Sequence, residues 1–144
     1  MNLQIINFAN TKIINNKTIC IKNGGDNIQP TITWYEIPPA KSYSLIMEDA
    51  YSINGNTVHW FIPTIYNNIL INGLNSYDKY GYYGPCPPKN TGMRIYVFIL
   101  YSLDTIFNFD TRIKIESSKH FEQILNANGV KILNKEMKSF YLET

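Results

Sequence analysis

Seven consecutive residues, Ile95-Tyr96-Val97-Phe98-Ile99-Leu100-Tyr101, are aliphatic or aromatic without a charged or amide interruption. A half-exposed strand alternates apolar with polar residues, so a β-branched and aromatic run of this kind must be covered on both faces. It reads as a central strand of a domain core. Just upstream, Tyr82-Tyr83-Gly84-Pro85-Cys86-Pro87-Pro88 carries three prolines in the four positions after Gly84. Those rings preset most of the loop's φ angles and remove several backbone donors. The chain therefore joins a preshaped loop to a buried strand, which suits the presentation of backbone groups at a site.

The remaining pattern favours short strands. β-type runs occupy residues 13–14, 18–21, 31–34, 43–47, 57–62, 95–103 and 130–133. Turn clusters separate them, among them Asn23-Gly24-Gly25-Asp26-Asn27, Pro38-Pro39, Asn54-Gly55-Asn56 and Asn72-Gly73. This punctuation predicts an all-β sandwich or barrel. One short helix is expected over residues 119–127, capped by Ser117 or Ser118, with Phe121, Ile124 and Leu125 on one face. Asn128-Gly129 ends it and turns the chain toward a last strand at residues 135–142. With 144 residues, 44% of them hydrophobic, the chain can build one ordinary core, and a single domain over residues 1–144 is expected.

Charge narrows the function classes. The 13 basic and 11 acidic residues leave a net charge of +2 and are scattered, whereas binding to a phosphate backbone needs a clustered basic face. Nucleic acid is therefore not an expected partner. No apolar run approaches the roughly 20 residues of a membrane span, and the opening MNLQIINFANTK lacks the basic and apolar regions of a signal peptide. A soluble cytoplasmic protein without membrane insertion is expected. Cys20, between Ile19 and Ile21, reads as a small buried hydrophobe and Cys86 as a structural loop residue. No disulfide or metal framework is recognisable in the pair. Isoleucine, asparagine and lysine are abundant while Arg94 and Arg112 are the only arginines, a bias that suggests AT-rich codons, as in a large DNA virus, a parasite or an endosymbiont.

Polar chemistry is concentrated in few places. Met47-Glu48-Asp49-Ala50 ends a strand in two carboxylates, and His59-Trp60 follows in the next strand. Asp49, His59, Arg94 and Tyr96 are candidates to converge at one rim of the sheet. His120, near the helix start, reads as solvated surface.

In these segments the chain resembles the phosphatidylethanolamine-binding protein family, also called Raf kinase inhibitor-like proteins, and most of all its compact bacterial and archaeal branch. Thr33-Trp34 with Pro38-Pro39 is similar to the family's L-x-W…P segment. Glu48-Asp49-Ala50-Tyr51-Ser52-Ile53 stands in place of D-P-D-x-P, and Val58-His59-Trp60 in place of the H-W pair. Tyr83-Gly84-Pro85-Cys86-Pro87-Pro88-Lys89 resembles the Y-x-G-P-x-P-P-x-G loop, and Arg94-Ile95-Tyr96-Val97-Phe98 the H-R-Y-x-F strand. The likeness runs from about Pro30 to the C-terminus.

The resemblance narrows the fold to an antiparallel β-sandwich, with a small preformed pocket for phosphate-like anions or phosphoryl head groups. Its ligand-binding residues would be Asp49, His59, Gly84, Pro85, Arg94 and Tyr96. A histidine and a tyrosine can donate to an anion, and backbone N–H groups beside Gly84 can approach closely. Asp49 would orient His59 or accept from a ligand hydroxyl or ammonium. The departures bear on the pocket's charge. Both prolines and the second aspartate of D-P-D-x-P are missing, Asn90 stands where the loop's closing glycine is expected, and Arg94 replaces a pocket histidine. Arg94 can hold a phosphate bidentately or pair with Asp49 and close the pocket.

The expected function is non-enzymatic binding of such anions or head groups, without cofactor or metal and with a regulatory role. The alternative is a regulator that contacts a protein, such as a kinase or protease, with its pocket closed by Arg94. His59 and Asp49 could form a base and its orienter, but no nucleophile other than Cys86 stands near. Monomer and homodimer both remain open.

Overall fold

A computed structural model describes residues 2–11, 13–50, 57–66 and 81–143. The strands are β1 (Gln4–Ile6), β2 (Ala9–Asn10), β3 (Ile13–Ile14), β4 (Thr31–Thr33), β5 (Ser42–Asp49), β6 (Thr57–Ile65) and β7 (Met93–Leu103). Helix α1 (Ser118–Ala127) and the long strand β8 (Ile132–Glu143) complete the elements of the described residues. Six strands form one sheet in the order β2-β3-β8-β7-β5-β6, and β1 pairs with β4 in a second, two-stranded sheet. The all-β expectation with one short helix holds. Its antiparallel character needs one correction, because β3 runs parallel to β8 through Ile13 and Tyr141.

β7 lies between β5 and β8, and all residues from Tyr96 to Leu103 are buried. The two-residue period of a strand sends them alternately to two cores. Tyr96, Phe98 and Leu100 face Leu45, Met47, Trp60 and Ile62, and the N-terminal residues Leu3, Phe8 and Ile14 cover them. Val97, Ile99, Tyr101 and Leu103 face Ile46, Val58 and Phe61 beneath Phe107, Phe109, Phe121 and Leu125. Edge-to-face ring pairs fix both layers: Phe8 to Phe98 at 4.9 Å on one side, Phe61 to Phe121 at 5.0 Å on the other. Burying one such side chain is worth about 1.5–3 kcal/mol, so the continuous apolar run anchors both layers at once.

α1 begins where the sequence predicts. The Ser117 side chain accepts from the His120 N–H, and Glu48 closes the first turn by accepting from the Ser118 N–H at 2.9 Å and from its hydroxyl at 2.6 Å. A carboxylate at a helix N-terminus satisfies otherwise orphaned donors and matches the helix dipole. Asn128 ends the helix, and Gly129 follows at φ 72°. His120 is half-buried, and its Nδ1 accepts from the Glu116 N–H at 3.1 Å, which corrects the expectation of a purely solvated ring.

Two further expectations are corrected. Residues 18–21 are not a strand. Asn16–Thr18 and Ile21–Asn23 form short 3-10 turns, the first capped by the Asn15 side chain. The two strands expected over residues 130–133 and 135–142 are one, β8, which passes a register shift between Ser102–Asn134 and Leu103–Ile132 without ending. The turns at 54–56 and 72–73 lie outside the described residues.

Candidate functional site

Asp49 is the last residue of β5 and sits opposite Tyr96 of β7. Arg94, two positions before Tyr96, shares its face and lies diagonal to Asp49, within reach of a long side chain. The reach is used: Arg94 Nη2 donates to Asp49 Oδ2 at 2.9 Å, with the side chains only 12% and 5% exposed. Of the two outcomes open to Arg94 in the sequence, the paired one is present. The pairing is one-toothed, because Arg94 Nε is buried with no hydrogen-bond partner among the described residues. Adjacent Glu48 points through the sheet to α1, so the two carboxylates serve opposite faces.

β6 brings in His59. Met47 pairs with Trp60 while Glu48 pairs with Val58, leaving His59 as the extra residue of a bulge. A bulge re-aims a side chain, and here the ring stands edge-on to Tyr96 at 5.3 Å. Its Nδ1 lies 2.8 Å from the Tyr83 carbonyl, while the Tyr83 N–H donates to the His59 carbonyl at 2.9 Å. A carbonyl only accepts, so Nδ1 carries the proton and Nε2 of the neutral ring is its acceptor nitrogen. Burial pushes the His59 pKa below the ordinary 6.5. The Tyr83 carbonyl, the Asp49 charge and the Gly84 backbone oppose the shift, and the Arg94 charge adds to it.

This shift has a pH consequence. With a folded pKa below 6.5, the unfolded chain binds more protons than the native one at mildly acidic pH. His59 therefore contributes stability that is present above about pH 6.5 and is lost as the pH falls toward its folded value. Urea midpoints measured between about pH 7.5 and 5 should fall more steeply for the native chain than for His59→Gln. Equal slopes would mean that the ring is not desolvated.

Gly84 and Pro85 have structural partners in the N-terminal segment. The Gly84 N–H donates to Asn27 Oδ1 at 2.7 Å, and Asn27 Nδ2 reaches the Tyr82 carbonyl at 3.2 Å. A methyl group on Gly84 would fall inside the Thr18 carbonyl oxygen. The glycine is required by the N-terminal segment packed on it, and its donor faces that segment rather than Asp49 and Arg94. The Pro85 carbonyl accepts from the Cys20 N–H at 3.0 Å. The Tyr82 hydroxyl donates to the Thr18 carbonyl at 2.7 Å, and Asn23 Nδ2 to the Pro87 carbonyl at 2.7 Å. Cys20 and Cys86, expected to be unbridged, are joined by a disulfide with Cα atoms 5.3 Å apart. Residues 15–28 thus form a strap across the outer side of loop 82–87, whose inner side holds His59.

Asp49, His59, Arg94 and Tyr96 converge as expected. Asn27, which the sequence offers only as a turn residue, is a positioning residue missed there. The left-handed backbone expected of the loop's closing glycine is taken by Asn90 at φ 62° and again by Gly92 at φ 83°; asparagine tolerates this region better than most residues. Tyr51, Ser52 and Ile53, the place of the D-P-D-x-P motif, lie outside the described residues, as does Tyr80. Among the described residues, no group of three or more His, Cys, Asp or Glu side chains is placed to hold a metal ion. None of their helices is long and apolar enough to cross a membrane.

Comparison with known proteins places this geometry. The family model described as phosphatidylethanolamine-binding protein matches residues 4–137. A UPF0098 protein of Methanothermobacter thermautotrophicus is 32% identical over 127 residues, covering 76% of this chain and 81% of that protein. A Mycobacterium tuberculosis protein named as lipoprotein LppC is 33% identical over 90 residues, 55% of this chain and 45% of its own length. The chain thus spans about half the length of several curated relatives that it matches. The crystal structure of Escherichia coli YbcL, described as a member of the mammalian PEBP family, superposes with a TM-score of 0.72 at 18% identity, covering 99% of this chain and 97% of that one.

Proposed function

The chain belongs to the phosphatidylethanolamine-binding protein family, and from that footing we propose that it binds, without catalysis, a phosphoryl head group that also carries a positive charge. The observation that carries this reading is the half-used guanidinium of Arg94, with Nη2 on Asp49 and the buried Nε–H lacking an acceptor among the described residues. An unsatisfied buried donor is costly, and a phosphoryl oxygen is a matched acceptor for it.

Charge balance selects the ligand class. Asp49 and Arg94 neutralise each other, and His59, with its lowered pKa, adds no charge near neutrality. A bare phosphate brings excess negative charge beside Asp49 and must compete for its only described cation. Breaking such a charge-assisted pair costs about 1.5–3 kcal/mol. A phosphodiester zwitterion instead sets its phosphoryl group on Arg94 and its ammonium on Asp49, leaving the buried site neutral. Cys86, the nucleophile that an enzyme reading would use, is held in the disulfide.

Titration with glycerophosphoethanolamine, inorganic phosphate and ethanolamine, followed through the His59 ring and Arg94 Nε–H resonances, tests the proposal. The zwitterion should shift both at millimolar concentration, with phosphate roughly 10- to 100-fold weaker, as that pair energy implies. Equal responses to zwitterion and phosphate would refute the charge-balance account. No response to any of the three would refute the pocket and leave contact with a protein partner as the surviving role.

A further inference from the structure

We propose that the strap of residues 15–28 is a redox-operated latch on the pocket loop, with the Cys20–Cys86 disulfide as its bolt. Beyond Thr18, Ile19 and Cys20, which are buried, the strap has little grip on the core. Ile21 is 73% exposed, and Lys22, Gly24 and Asp26 are exposed beside it. Apart from the bridge, the strap meets loop 82–87 through single hydrogen bonds, chief among them the two made by the Asn27 side chain. Asn27 makes them from a left-handed backbone at φ 52°, a conformation that costs more for asparagine than for glycine. Opening the bridge therefore removes the covalent tie and leaves residues 21–28, mostly polar and solvent-facing and rooted at buried Ile19, to hold the loop.

The loop's other side is the site. Tyr83 exchanges backbone and ring hydrogen bonds with His59, so the position of residues 82–84 sets the His59 ring directly. Neither core cluster contains a cysteine, although Ile19 of the strap and Tyr82 of the loop belong to the first and root the two segments there. The latch can accordingly open with the sandwich intact.

The chemical step is thiol–disulfide exchange with a dithiol reductant. One thiolate attacks sulfur at Cys86, the more exposed of the two residues, and Cys20 leaves as a thiolate. The reductant's second thiol then displaces Cys86 and closes the reductant's own disulfide, so the cysteines gain two electrons and two protons. The bridge would stay closed in an oxidising compartment and open in a thiol-reducing cytosol.

Amide hydrogen exchange of the full chain, oxidised and after treatment with dithiothreitol, tests the latch without any ligand. Reduction should speed exchange of the Gly84 and Tyr83 amides at least tenfold and leave them at least tenfold less protected than the Ile99 and Leu100 amides of β7, which open only with the whole domain, and reoxidation should restore protection. Cys86→Ser should reproduce the reduced pattern. Unchanged Gly84 protection on reduction would overturn the latch, as would Gly84 and the β7 amides sharing one protection factor after reduction, which would make the bridge a global staple only. The ligand consequence rests on the head-group reading: glycerophosphoethanolamine should bind at least threefold more weakly after reduction. If Gly84 exchange responds while neither form binds the zwitterion, the head-group reading fails and the latch stands.

Discussion

Arg94→Ala should lower the unfolding free energy by about 3–5 kcal/mol, the largest effect of any single side-chain truncation at the site. The variant strips Asp49, 5% exposed, of its described cation and leaves a carboxylate buried at a sheet rim. Removing one partner of a buried pair is far more costly than removing both, because the survivor keeps its desolvation penalty without the compensating attraction. The double variant Asp49→Ala/Arg94→Ala should therefore be more stable than Arg94→Ala alone. Urea unfolding of the three variants measures the coupling. If Arg94→Ala costs less than about 1 kcal/mol, as exposed ion pairs do, the pair is solvated and does not control the site.

Replacing both cysteines with serine should cost about 4 kcal/mol. The bridge closes a loop across a sequence separation of 66 residues, and the chain-entropy account of cross-links assigns roughly that value to a loop of this length. The native state should persist, since the two core clusters do not include the cysteines, and a thermal midpoint lower by roughly 10 °C is expected for a chain of this size. Calorimetry of the double-serine variant checks this. An unchanged midpoint would mean that the strap is already held to the loop in the unfolded ensemble or that the bridge does not form.

How much of this was legible in the sequence depends on the range of the interaction that decides each feature. The uninterrupted run from Ile95 to Tyr101 predicted a strand buried on both faces because its residues alone require it. Ser117, Phe121, Leu125 and Gly129 predicted α1 because caps and helical periodicity are local. Thr18-Ile19-Cys20-Ile21 was misleading for the opposite reason: its β-branched composition favours a strand, but Cys20 is tied to Pro85 and Cys86 far along the chain, and the backbone turns to meet them. Asn27 has nothing to distinguish it from other turn asparagines until Gly84, 57 positions away, is placed beside it.

At the site, which residues meet was legible through their motifs, while how they pair was not. Asp49, His59, Arg94 and Tyr96 meet as their strand positions suggest. The structural task of Gly84 was not legible, because a glycine that allows close approach looks the same in sequence whether the approaching group is a ligand or the Thr18 carbonyl. The fate of Arg94 depended on the Asp49–Tyr96 register, which no local pattern specifies.

The central claim is that the Asp49–Arg94 pair makes the pocket select a zwitterion over a bare phosphate. Its most direct test is the ratio of dissociation constants for inorganic phosphate and glycerophosphoethanolamine, measured by calorimetry on the native chain and on folded Asp49→Asn. Neutralising Asp49 releases Arg94 and removes the ammonium's partner, so phosphate should bind more tightly and the ratio should fall from tenfold or more to near one. A ratio that Asp49→Asn leaves unchanged would contradict the account.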